Sequence, residues 1–183
     1  SYTFDPAGAF ESLDDGDSQT TTVTYTLSDG TVTDTATLAV TVNGANDAPV
    51  AQADALTTDE ETTIAAGDVF ADNGSGADSD VDTGDSLTVS QVNGSGGANV
   101  GNPVAGSNGG SFTIQRGGGL AFDPGAAFQD LAAGESQTTT VSYTASDGTA
   151  TDTAVVTVTV NGVNDAPTAN NDTDSTDEDT SIT

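Results

Sequence analysis

The chain has 183 residues, of which 29 are acidic and one is basic (Arg116), with no His and a formal net charge of −28. A polyanion with a single Arg cannot neutralise phosphates, so nucleic acid and anionic membrane surfaces are excluded as partners. No apolar run approaches the roughly 20 residues of a spanning helix, so no membrane insertion is expected.

Taken in order, the chain is organised by a repeat. Phe4-Asp5-Pro6 returns as Phe122-Asp123-Pro124, and the same spacing of 118 positions (4 to 122) relates Gln19 to Gln137, Tyr25 to Tyr143, Asp29 to Asp147, Pro49 to Pro167 and Asp54 to Asp172. That period suits an independently folding domain and is too long for a solenoid unit. Residues 1–49 are therefore expected to be the C-terminal strands of a preceding repeat, 50–167 a complete repeat, and 168–183 the first strand of a following one. Neighbouring repeats of the same chain are the expected partners. Duplicated elements also allow homotypic self-association by swapping.

Each joint between repeats has the same signature, VTVNGANDAP at 40–49 and VTVNGVNDAP at 158–167. A Val/Thr strand ends at Asn-Gly, and the Pro, which lacks an amide donor and forces extension on its predecessor, ends any ladder. In the complete repeat, 50–56 and 57–64 read as a broken first strand, 65–85 as an acidic Gly-rich loop and 86–92 as a strand. A Gly/Asn loop follows at 93–110. Short strands at 111–115 and 120–122 flank the Gly117-Gly118-Gly119 turn. Residues 137–145 and 149–160 form a hairpin about Asp147-Gly148, a dipeptide that supplies the positive φ such turns need. Ala154, Val156, Val158 and Val160 share one face, and period-2 alternation with one Thr face means a sheet buried on one side. About seven short strands with regular turn signals predict an all-β, Greek-key β-sandwich of immunoglobulin or cadherin-like type.

The candidate chemistry is acidic. Asp78, Asp80, Asp82 and Asp85 alternate along a loop containing Gly84, and calcium takes six to eight oxygens from such carboxylates, carbonyls and water. The spacing is not that of an EF-hand. Because the first loop and the last strand both fall at the lower end of a sandwich, Asp78–Asp85, Glu60 or Glu61, and Asn164-Asp165 are expected to meet there. At the upper end Asp147 is expected beside Asn46-Asp47 and Asp54. Carboxylates gathered at two poles are costly unless high salt, a large exposed surface or a cation relieves them; a divalent cation is the sharpest of these remedies, and Ca2+ is the expected cofactor.

The order T-x-E-x-T, D-x-D-V-D-x-G-D-S-L-T-V, Y-T-x-S-D-G-T and T-V-T-V-N-G-V-N-D-A-P, carried by Thr58-Asp59-Glu60, Asp80–Val89, Tyr143–Thr149 and Thr157–Pro167, resembles the VCBS-type, cadherin-like tandem repeats of large bacterial adhesins. The resemblance implies type I secretion, an extracellular or cell-surface location, and a calcium-rigidified extender repeat serving adhesion or biofilm formation. The five residues from Asn73 to Ala77 depart from the family's pattern. Two other functions fit the sequence, a calcium-dependent carbohydrate-binding module and a self-assembling extracellular fibre subunit. Gly84-Asp85-Ser86-Leu87 spells a motif of some lipolytic enzymes, but a serine hydrolase needs an imidazole base, and a chain without His is not expected to be an enzyme.

Overall fold

The computed structural model describes residues 1–179 and Ser181, and among them there are strands and turns but no helix. Two strands near the start, β1 (Ser18–Ser28) and β2 (Thr33–Asn43), form a hairpin of their own. The remainder is a sandwich of two sheets. β3 (Asp54–Asp59), β11 (Thr151–Asn161), β10 (Ser136–Ser146), β5 (Thr88–Val92) and β6 (Ser95–Gly96) lie side by side in one sheet. β4 (Ile64–Asp68), β9 (Gly119–Asp123), β8 (Ser111–Ile114) and β7 (Val104–Ala105) make the other. Alternation builds both. Along β11 the buried residues are Ala154, Val156, Val158 and Val160, with the more exposed Val155, Thr157 and Thr159 between them. Phe112, Ile114, Leu120 and Phe122 alternate in the same way on β8 and β9. The two inner faces close on one core, in which the Phe112 and Phe122 rings lie 4.6 Å apart at 46°.

The first strand departs from the sequence expectation, and the departure relocates the site. β3 runs parallel to β11 in register from Asp54 against Val156 to Asp59 against Asn161. At Glu60-Glu61 the chain then turns, with Thr62 N–H donating to the Asp59 carbonyl and Glu61 N–H to Asp59 Oδ1, and crosses to the other sheet. There β4 runs back antiparallel to β9. Residues 50–64 are thus not one broken strand. The reversal adds a crossing of the sandwich, so the acidic loop after β4 lies at the pole where the chain arrives, not where it leaves.

The repeat is visible in the backbone. β1 pairs with β2 from Ser18 against Asn43 to Ser28 against Thr33, and β10 pairs with β11 from Ser136 against Asn161 to Ser146 against Thr151, the same register displaced by one period. What covers the two hairpins differs. Val141 is 2% exposed beneath the second sheet, whereas its duplicate Val23 is 57% exposed. Beside Val23, Tyr2, Thr3 and Phe4 only line a shallow cleft with Leu38 and Val40. Residues 172–177 duplicate β3 but have no equivalent of β11 to pair with, and no strand forms there. Thr180, Ile182 and Thr183, the far end of the segment expected as a first strand, lie outside the described residues.

Burial decides the cost of the same change in the two copies. Val141→Ala should lower unfolding free energy by about 2 kcal/mol, the transfer and cavity terms together, and Val23→Ala by less than about 0.5 kcal/mol. Urea unfolding of both variants checks this, and equal losses would contradict the correspondence.

Candidate metal centre

The incoming joint is built by close approach of backbone. At Gly44, just past β2, N–H donates to the Asp17 carbonyl and the next N–H, of Ala45, donates to the Leu13 carbonyl. A Cβ at Gly44 would lie 2.3 Å from the carbonyl oxygens of both Leu13 and Asp14, so only glycine lets the Leu13–Asp17 turn strap down on the joint. Beyond it, Val50 and Ser79 exchange backbone hydrogen bonds of 2.8 and 3.1 Å, which anchors the acidic loop to the arriving chain.

Side chains complete the fastening. Asp82 Oδ2 accepts from Asp47 N–H at 2.7 Å, and Asp80 Oδ1 accepts from Asp82 N–H at 3.0 Å. Gly84, at φ +107°, lets the loop turn, and Thr83 N–H donates to the Ser12 carbonyl at 3.1 Å. Across the joint, Asp147 Oδ1 caps its own hairpin turn by accepting from the N–H groups of Thr149 and Ala150 at 2.6 and 2.7 Å. Its Oδ2 accepts from Asn46 Nδ2 at 3.3 Å, and that amide also donates to the Asp47 carbonyl.

The result is two overlapping groups of acids. One carboxylate oxygen from each of Asp80, Asp85 and Asp147 lies within 4.8 Å of the others, and the same holds for Asp14, Asp82 and Asp85. Asp82 is 5% exposed. Asp82 Oδ1 and Asp80 Oδ2 are buried with no hydrogen-bond donor among the described residues. Two carboxylates about 4 Å apart near a surface repel by about 4 kcal/mol, more than the single side-chain hydrogen bond described for each of Asp80 and Asp82 returns. Asp85 registers the crowding: desolvation, then the charges of Asp14, Asp80, Asp147 and Asp82, hold its carboxyl above the usual range. For Asp147 desolvation acts upward too, but the Thr149 and Ala150 N–H groups and the Asn46 amide outweigh it, and its carboxyl stays below the usual range. Buried acceptors without donors, on acids drawn together, fit a divalent cation.

The expected site residues divide into three places. Asp80, Asp82, Asp85 and Asp147 converge at the incoming joint, with Asp47 fastened to Asp82 through its backbone. Asp54 and Asp78 stand apart from both acid groups, in a buried brace. Asp54, 3% exposed, accepts from Asn73 Nδ2 at 2.8 Å on Oδ1 and has no donor at Oδ2. Asp78 accepts from Gln52 N–H at 2.7 Å and from the Tyr143 hydroxyl at 2.8 Å. Burial pushes the Asp54 carboxyl up to about 6, against the Asn73 amide and with the charge of Asp78 adding to it. Burial likewise raises Asp78. Glu60 lies at the outgoing joint. Its Oε1 accepts from Val163 N–H at 2.7 Å, its carbonyl accepts from Gln129 Nε2 at 3.1 Å, and its Oε2 is buried without a donor.

The expectation that Asp78–Asp85 meets Asn164-Asp165 is corrected here. The β3-to-β4 crossing puts the loop at the opposite pole, and Asn164 and Asp165 are exposed, with Asn164 Nδ2 donating to the Asp165 carbonyl at 2.8 Å. Asp14 was missed by sequence reasoning. A difference between copies could have found it, since Ala132 occupies its place one period later.

Residues 46–162 match the bacterial cadherin-like domain family. None of the curated proteins compared matches the chain. Among solved structures it is similar to human protocadherin-24 EC1-2, at 19% identity and a TM-score of 0.41 over 86% of this chain and 69% of that one. It is similar to protocadherin gamma B2 extracellular cadherin domains 1–5, at 16% identity and 0.44 over 82% and 27%. A third likeness, to an endo-fucoidan hydrolase of glycoside hydrolase family 107, is at 16% identity and 0.37, with 83% of this chain spanning 19% of that one.

The raised Asp54 carboxyl has a definite pH consequence. Its ordinary value is 3.8 and its folded value about 6, so between them the folded state binds the extra proton. Stability in chelator should therefore fall as pH rises through that window, by on the order of 2 kcal/mol. Urea midpoints across the window should decline, and Asp54→Asn, which keeps the acceptor facing Asn73, should remove most of the slope and raise the midpoint at neutral pH. A flat profile for the parent chain contradicts the assignment.

Proposed function

The chain belongs to the bacterial cadherin-like domain family, and on that premise we propose that it is a calcium-rigidified extender segment of a secreted, cell-surface adhesin. Residues 1–49 end one repeat, 50–167 form a complete one and 168–183 begin another, all of them non-enzymatic spacers working outside the cell in adhesion or biofilm formation. Calcium is held at the incoming joint by Asp80, Asp85 and Asp147, with Asp82 fastened to the joint at Asp47. The carrying observation is that Asp80 and Asp82 each keep a buried oxygen without a donor where these acids converge.

The ligand chemistry favours calcium among cations. With no His or Cys the donors are hard oxygens, which suit calcium or magnesium, and irregular loops with several carboxylates suit the larger, more tolerant ion. At the outgoing joint the free Oε2 of Glu60, one residue past β3 and bonded to the departing chain, supports a role as the preceding repeat's contribution to the next site. The mechanism is electrostatic. Without calcium the acids at a joint repel and the hairpin and sandwich swing apart. With it, groups from both sides are tied to one ion, and a row of repeats becomes a rod.

The exposed face of β1 and β2 supports assembly with further strands. Val23, Tyr25 and Leu27 are uncovered, while Val141, Tyr143 and Ala145, their duplicates, are buried under the second sheet. The strands of the neighbouring repeat are the matching cover, and homotypic pairing of two such faces is the alternative.

Thermal melting and small-angle scattering with calcium or chelator test the reading. An ion present at about a hundred times its dissociation constant adds about 2.7 kcal/mol, which for a chain of this size raises Tm by roughly 5–10 °C. The maximum dimension should become sharply defined at the same time, and Asp80→Asn with Asp147→Asn should abolish both effects. Unchanged melting and scattering on adding calcium would remove the calcium mechanism.

A further inference from the structure

We infer that Asp54, Tyr143 and Asp78 form a proton-operated latch on the arriving chain. A proton on Asp54 Oδ2 locks residues 50–55 to the sandwich, and its loss frees them. The latch stands apart from the calcium reading, since none of its three residues belongs to either acid group at the joint.

The arriving chain is fastened residue by residue. Val50 exchanges backbone hydrogen bonds with Ser79. The next two N–H groups donate to carboxylates, Ala51 to Asp152 Oδ2 at 2.9 Å and Gln52 to Asp78 Oδ1 at 2.7 Å. Ala55 N–H donates to the Asn73 carbonyl at 3.1 Å. These contacts meet on Tyr143 of β10, which is fully buried. The carbonyl oxygens of Gln52 and Val69 each lie 3.1 Å from its hydroxyl, and Asp78 Oδ2 lies 2.8 Å away. One hydroxyl thus ties the arriving chain, the loop and the core sheet together.

The arrangement is one proton short. A phenol donates a single hydrogen bond, and the shortest contact assigns it to Asp78. Burial, then that bond to Asp78, push the Tyr143 hydroxyl up, so it stays protonated. Both Asp78 oxygens then have a donor, Gln52 N–H and Tyr143. Asp54 does not. Its Oδ1 accepts from Asn73 Nδ2, its Oδ2 has no donor among the described residues, and the residue is 3% exposed. The first proton therefore goes to Asp54 Oδ2, and the Tyr143 oxygen, which also meets Asp54, accepts it. The groups acting on Asp54 are the Asn73 amide, the Tyr143 hydroxyl and the charges of Asp78 and Asp68, none of them a cation. Asp152, across Ala51, adds its charge to Asp78. Without the proton, unbalanced carboxylates face each other in a site closed to water. Water reaches them only by parting residues 50–55 from the loop. The extra proton is held between the ordinary value of 3.8 and the folded value of about 6, so the latch is strongest at the low end of that window and is lost as pH rises through its upper end.

Amide hydrogen exchange of the full chain in chelator tests this, with rates corrected for their intrinsic pH dependence. Chelator keeps calcium out of the comparison, so failure here leaves the calcium reading untouched. Protection at Ala51, Gln52 and Ala55 should fall about tenfold between about pH 5 and about pH 7, and at the upper end it should lie below that of Val156 and Val158 in β11. Asp54→Asn, whose amide supplies the missing hydrogen, should keep high protection at both ends. Asp130→Asn, an exposed position with the same loss of charge, should behave as the parent does. Carbon-13 detection of the Asp54 carboxyl in the parent gives a readout free of variants. Its titration and the shifts of the Ala51 and Gln52 amides should share one midpoint, at about 6. Parent protection that stays within about twofold across the range, or the same fall in Asp54→Asn, overturns the latch. So does protection at Ala51 and Gln52 equal to that at Val156 throughout, because the proton would then act only on the fold as a whole.

Discussion

Four carboxylate oxygens, on Asp54, Glu60, Asp80 and Asp82, are removed from water without a donor among the described residues. Each such group costs about 1–3 kcal/mol, against a net stability of about 5–15 kcal/mol for a whole domain. An arrangement of this kind is tolerable only if something other than a protein donor compensates it or if the group holds a proton. Asp54 sits in a buried brace where desolvation and the charge of Asp78 hold its carboxyl up to about 6, so protonation relieves it at mildly acid pH. At the incoming joint neutralisation by protons would have to satisfy several acids at once. One of them, Asp147, is held below the usual range by the N–H groups of its own turn and stays charged. That combination, one fixed charge among crowded acceptors, suits a cation better than a proton and is what supports the proposed calcium site.

The position of this charge follows from strand order. β3 pairs parallel with β11, so both run toward the outgoing joint. The turn at Glu60-Glu61 then carries the chain into the second sheet, and β4 returns it to the pole where it arrived. The acidic loop and the Asp147 hairpin are therefore neighbours although more than sixty positions separate them in sequence. Glu60 is left at the far end because it lies at the turn itself. One crossing between sheets thus assigns the acids to their joints.

Much of this was legible in the chain. The Val/Thr alternation marked β10 and β11 and the faces they bury. Asp147-Gly148 marked the hairpin, and the repeated Asn-Gly marked where β2 and β11 end. Alternation over 50–64 could not reveal the crossing, because each half presents the same pattern whichever sheet it joins. Only pairing with strands far along the chain decides it. Asp54 and Asp78 were read as ligands because they are acids near a pole. Their donors, Asn73, Gln52 and Tyr143, come from a loop, a bridge segment and a distant strand that no local pattern connects. Asp14 escaped for the opposite reason. A search for repeats rewards identity, and this position carries its information in the difference between copies.

The separation of core and joints has a mechanical consequence. The core is Val, Phe, Leu and Ile with Tyr143 and two Ala, closed between two sheets, and none of the acids at the joint belongs to it. The acids in turn come from both sides of the joint: Asp14 from the turn before β1, Asp80, Asp82 and Asp85 from the loop after β4, and Asp147 from the β10–β11 turn. A charge placed among them acts mainly on the angle between hairpin and sandwich and only weakly on either packing. On the proposed calcium reading, stiffness along the chain would be set by which carboxylates each turn presents, on a strap of unchanged backbone. A substitution such as Asp to Ala at the tip of that strap can alter one joint while leaving the fold of its neighbours as it was.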